Sequence, residues 1–84
     1  MDSDMLLIAF DSTQQALRAE MLLEYAGIEI DICPTPKEIT AGCALSIEFP
    51  AASLDRVREM IQSERVEIRG IYFKNEKEYV TIES

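Results

Sequence analysis

Six consecutive apolar residues, Met5-Leu6-Leu7-Ile8-Ala9-Phe10, constrain this chain more than any other stretch. A strand with one wet face alternates apolar and polar side chains, so an unbroken run predicts a strand dry on both faces at the centre of a sheet. Asp11-Ser12 stop the run. Ser12 with Gln15 three residues on reads as a capping box, and nothing more, opening a helix of strong formers from Ala16 to Leu23. Ala16, Ala19, Leu23 and Ala26 recur at spacings of three and four with Leu22 alongside, which makes one stripe for a sheet. Gly27 is the expected C′ residue.

From Ile28 the period switches to two. Ile28, Ile30 and Ile32 face one way and Glu29 and Asp31 the other. A connector with Pro34, Pro36 and Gly42 follows, in which Pro36 can open a short helical turn. Alternation resumes with Cys43, Leu45, Ile47 and Phe49 opposite Ala44, Ser46 and Glu48, and Pro50 ends it. Ser53 is the expected cap of a second helix, with Leu54, Val57, Met60 and Ile61 inward and Arg56, Arg58 and Glu59 outward. Val66, Ile68 and residues 70–73 read as a fourth strand, and Asn75-Glu76-Lys77-Glu78 as a turn into a fifth from Tyr79 to Ile82.

The order βαββαβ, with an added C-terminal strand, predicts an α+β fold of ferredoxin-like type. Right-handed crossovers give an antiparallel sheet in the order 4-1-3-2 with both helices on one face. Leu7, Phe10, Leu23, Ile30, Leu45, Ile47, Val57 and Ile61 should pack between sheet and helices. Two helices cover only one face, so the two-sided first strand predicts association through the sheet, as a homodimer.

With 84 residues, 1–84 is expected to be a single domain, since a chain this short has no material for a second core. Eight basic against sixteen acidic residues give 8 − 16 = −8, which repels phosphate backbones and argues against nucleic acid as a partner. No apolar run approaches a membrane span and no charged start precedes a hydrophobic core, so neither membrane nor secretion is expected and the cytoplasm is the predicted address. There, two cysteines are expected as reduced thiols.

No histidine is present, which removes the commonest general base and every Cys-His or Ser-His dyad. Gly27, Gly42 and Gly70 stand apart, so no phosphate loop is formed. Two thiols without CxxC spacing are half a structural zinc set, and neither metal nor cofactor is expected. What remains is Cys33 and Cys43, separated by residues 34–42. Alternation sends Cys33 to the face opposite Ile30 and Ile32 and puts Cys43 with Leu45. The bland reading of either is a small buried hydrophobe. A disulfide between them stays open at this point.

The segments Phe10-Asp11-Ser12-x-x-x-Ala16-x-x-x-Glu20-x-x-Leu23 and Ala26-Gly27-Ile28 belong to a wider pattern, whose most specific part is Pro34-x-Pro36-Lys37-Glu38-Ile39-Thr40-x-x-Cys43-x-Leu45. From about Leu7 to about Tyr72 the chain resembles the selenium/sulfur (Se/S) carrier protein-like family, formerly a domain of unknown function. The resemblance places the family's characteristic cysteine on Cys43. It implies a carrier or adaptor that holds sulfur or selenium as a persulfide-type adduct and passes it between donor and acceptor proteins, without a complete enzyme site of its own. Ala44 stands where the family usually has glycine, and Lys37 where it usually has arginine. Cys33-Pro34-Thr35-Pro36 is similar to the Cys-Pro-x-Pro of the TusA-like sulfur relay proteins, where the motif follows the first strand rather than the second.

A carrier thiol must ionise, and a cation or a helix start nearby helps it to. Lys37 and a turn from Pro36 are the candidates, against the bland reading of Lys37 as a solvated loop charge. Two other function classes compete: a non-catalytic ferredoxin-like dimerisation or ligand-binding module, and a redox sensor in which Cys33 and Cys43 bridge. Between the two thiols, position favours Cys43 as the functional one and leaves Cys33 as a second candidate.

Overall fold

The computed structural model of the chain describes residues 4–75 and 78–83. Five strands, β1 (Met5–Ala9), β2 (Asp31–Pro34), β3 (Leu45–Pro50), β4 (Gly70–Asn75) and β5 (Glu78–Glu83), form one antiparallel sheet in the order β2-β3-β1-β4-β5. Its first four strands follow the expected order 4-1-3-2, with β5 added beyond β4. The expected turn before β5 includes Glu76 and Lys77, which lie outside the described residues.

The apolar run occupies the centre, Ile8 lying between Ile47 and Ile71 in register. Its alternation splits the core in two. Leu6, Ile8 and Phe10 join Ala16, Ala19 and Leu23 of α1 (Thr13–Tyr25) and Val57 of α2 (Leu54–Ser63) in one large cluster, so both helices pack on that face. Leu7 and Ala9 point to the other face. Of the eight residues expected between sheet and helices, Leu7 is therefore misplaced. A central strand buries its odd and even side chains on opposite faces, whatever their hydrophobicity.

The chain itself covers the centre of that second face. The connector between β2 and β3 folds back over it, and Ile39 is buried against Leu7 and Ala9 with Ala41, Cys33, Tyr72 and Tyr79 packed around them. Cys33, Ser46, Ala9 and Gly70 lie side by side across four strands, a row of small residues that leaves room for the connector. The uncovered apolar face that motivated a sheet-to-sheet dimer is thus covered within the chain.

Local signals worked unevenly. Ser12 caps α1, accepting a hydrogen bond from the Gln15 amide at 3.4 Å. Gln15 does not complete the box; its Oε1 accepts from the Glu67 amide at 3.2 Å and ties the helix start to the segment before β4. Gly27, at φ +80°, closes α1: its amide donates to the Glu24 carbonyl and that of Ile28 to the Leu23 carbonyl. Arg65, at φ +54°, closes α2 through the same two-bond pattern, to Gln62 and from Val66 to Ile61, without a glycine to announce it. Ser53 makes no side-chain cap, because a 3-10 turn over Ala51–Ser53 leads directly into α2. Ile28 and Ile30 pack into the helix-side cluster ahead of β2, while Ile32, within it, is exposed. The second strand begins at Asp31, three residues later than its alternation suggests.

Candidate functional site

Cys43 lies where three segments meet: the end of β1, the start of α1 and the entry to β3. Its amide donates to the Phe10 carbonyl at 3.0 Å, which ties the entry of β3 to the end of β1. Cys43 is only 3% exposed and belongs to the helix-side cluster. Two polar groups reach it there. The Leu45 amide donates to Sγ at 3.3 Å, and Thr13 Oγ1, from the first residue of α1, is 3.4 Å from Sγ with either atom able to donate.

The short segment 41–44, which carries Cys43, forms a strap tied down at both ends. Thr35 Oγ1 donates to the Cys43 carbonyl at 3.0 Å and contacts the buried Ser46 hydroxyl at 2.6 Å, while the Thr35 amide donates to the Ala44 carbonyl. At the other end, the Gly42 amide donates to Asp11 Oδ1 at 2.8 Å, and Asp11 Oδ2 pairs with Arg69 at 3.6 Å. Gly42 is required by space rather than by φ. A Cβ there would sit 2.7 Å from the Asp11 carbonyl oxygen, closer than real contacts allow. Beside the strap, Asp11, Ser12, Glu67 and Ile68 line an open cleft of about 290 Å³.

Cys33 has a different setting. It is a free, half-buried thiol on the connector-covered face, opposite Ser46 on β3. Burial pushes its pKa up, and the carboxylates of Glu48 and Asp31 push it further in the same direction. The cause is again alternation, since Asp31 and Cys33 share a face and Glu48 is in register with Asp31. The Cys-Pro-Thr-Pro sequence thus runs through the end of β2, and no helix starts there.

The connector turn forms at Pro36, whose carbonyl accepts from the Ile39 amide, but it is a single turn and not a helix. Lys37 sits exposed in that turn, and among the described residues no hydrogen bond or ion pair joins it to Cys43. The helix start beside the sulfur belongs to α1 instead. Thr13, Thr35, Asp11 and Gly42 are the site residues that pattern reading passes over. Thr13 and Cys43 are thirty positions apart, and only the crossover brings them together.

Among the described residues no group of three metal-ligating side chains gathers, and no helix is long and apolar enough to cross a membrane. No curated protein and no solved structure matches the chain. A family model does, that of "Putative Se/S carrier protein-like", over residues 5–73, from the first residue of β1 into β4. A match across both helices, four strands and the whole Cys43 strap leaves little of the fold outside it, and the chain belongs to the Se/S carrier protein-like family.

Proposed function

We propose that the protein is a cysteine-dependent carrier that holds sulfur or selenium on Cys43, in a ferredoxin-like domain acting in the cytoplasm between a donor and an acceptor protein. The observation that carries the reading is the placement of Cys43 Sγ at the start of α1 with the Leu45 amide and the Thr13 hydroxyl directed at it. The step is an exchange between sulfurs. The Cys43 thiolate attacks the terminal sulfur of a donor persulfide, that S–S bond breaks, a new one forms on Cys43, and the donor leaves as a thiolate, with no net oxidation. Handing the sulfur on is the same exchange in reverse order.

A cysteine 3% exposed must first be uncovered. The strap is the segment able to move, since Gly42 and Ala44 are exposed and its hold on β1 and α1 rests on a few hydrogen bonds. Lys37, exposed on the connector, acts in this reading on an incoming anionic group rather than on the sulfur at rest. Cys33 serves as a second acceptor only at high pH.

Burial also supports the other class, a non-catalytic binding module in which Cys43 is a core residue. Intact mass after incubation with glutathione persulfide separates them. The carrier gains about 32 Da per sulfur, removed by reductant and lost in Cys43→Ser. An unchanged mass favours the binding module. A loss of about 2 Da instead identifies a Cys33–Cys43 bridge, which needs the two Cβ atoms within about 4.5 Å. Their side chains join clusters on opposite faces of the sheet, which disfavours that outcome.

A further inference from the structure

Helix α1 carries a second apolar row that nothing among the described residues covers. Leu17, Met21 and Tyr25 follow one another at intervals of four and are 48%, 66% and 93% exposed, on the side away from the buried Ala16, Ala19 and Leu23. Single exposed apolar residues are ordinary, but three in line on one helix are a surface. Extended one step back, the row begins at Thr13, the residue whose hydroxyl touches the Cys43 sulfur. The row is a track that ends at the thiol.

Its borders are acidic. Glu20 and Glu24 follow Leu17 and Met21 by three positions and flank the row on one side. Arg18, the one cation of α1, is occupied on the other: it donates to the Glu64 carbonyl at 2.7 Å and pairs with the Glu64 carboxylate at 3.9 Å. Asp11, two residues before Thr13, is paired with Arg69, and the chain as a whole carries −8. A second copy would bring the same acidic borders and charge to the contact, and an anionic lipid surface would be repelled. The complementary occupant is a protein with an apolar strip bordered by lysine or arginine.

We infer that the Thr13–Leu17–Met21–Tyr25 face of α1 is the docking surface for a basic-rimmed partner protein, which it aligns so that the partner's reacting cysteine meets Cys43. This deepens the carrier reading and rests on it for the identity of the reaction, though not for the binding. Docking of this kind converts the sulfur exchange into a step within one complex, at a raised effective concentration. Electrostatic borders set the encounter rate and its salt dependence.

The test uses a synthetic amphipathic helical peptide with a leucine row flanked by lysines and one cysteine, alongside glutathione persulfide as a donor with no docking surface. Labelled peptide should bind the wild-type protein, and binding should fall about tenfold or more in L17S/M21S/Y25S and in E20K/E24K, and weaken with salt. Leu17, Met21, Glu24 and Tyr25 are exposed and Glu20 is half-buried, and a circular dichroism melt checks that the variants stay folded. With the cysteine loaded as a persulfide, the peptide should transfer sulfur to Cys43 faster than glutathione persulfide does, and the serine variant should keep only the glutathione rate.

Binding without transfer from either donor leaves the docking surface standing and overturns the carrier reading. Transfer that is indifferent to the row and its borders does the reverse. No peptide binding, a concentration-dependent dimer that the serine variant abolishes, or flotation of the protein with phosphatidylcholine vesicles through the same row would each overturn the proposed occupant.

Discussion

Cys33, on β2, and Cys43, at the entry to neighbouring β3, live in opposite chemical settings. Cys43 faces the helices, deep in the larger cluster, with an amide and a hydroxyl at its sulfur. Cys33 faces the connector, half-buried beside Glu48 and Asp31, which with its burial hold its pKa above the ordinary thiol value. What separates them is the face of the pleat, and the face is set by a period of two along each strand. The contrast extends to the faces themselves. One is sealed by two helices around Phe10, Ile47 and Phe49, the other by a loop held down through Ile39.

The largest expected effect breaks the comparison at its centre. Cys43→Ser should abolish the reductant-sensitive mass adduct, and Cys33→Ser should leave it in place; the opposite result would move the chemistry to the Cys-Pro-Thr-Pro segment. Next comes the difference between faces, measured by urea unfolding. Phe10→Ala, at a fully buried position, should cost about 3–5 kcal/mol, and Ile39→Ala about 2 kcal/mol because a loop can settle around the loss. Equal costs would mean that the connector is as much a part of the core as the helices are.

A smaller effect probes the strap. Gly42→Ala should force the strap away from the Asp11 carbonyl at a cost of about 1–3 kcal/mol, and in a Cys33→Ser background should speed iodoacetamide alkylation of Cys43 about tenfold. An unchanged rate would place the route to the sulfur elsewhere. The smallest concerns Cys33. Its raised pKa means that the unreactive thiol persists above the usual pH, so removing one cause, by Glu48→Gln, should move its alkylation profile to lower pH. A profile that stays in place would assign the shift to burial and Asp31.

Much of this was legible without coordinates. The unbroken run from Met5 to Phe10 marks a central strand, and the two period changes order the elements. Alternation assigns Cys33 and Cys43 to opposite faces, and the Pro34-to-Cys43 pattern points to the family. These are local properties, because an apolar period, a cap or a left-handed glycine expresses preferences of a few neighbouring residues. Other features carried no local mark. Arg65 adopts the left-handed region at the end of α2 because the chain must turn back to the sheet there, at a backbone cost of about 1–2 kcal/mol that only packing can offset.

The sequence by itself determined which side chains want to be dry and in what order the strands and helices come. Only the tertiary structure decided what keeps them dry and what touches the thiol. The connector folds over Leu7 and Ala9 because a row of small residues leaves space for Ile39, and Thr13 reaches Cys43 because the crossover of α1 sets its first turn beside the entry to β3. Both depend on segments distant in sequence meeting in space. No period of two or of 3.6 encodes such a meeting, since it is selected by the packing of the whole core rather than by the preferences of either segment.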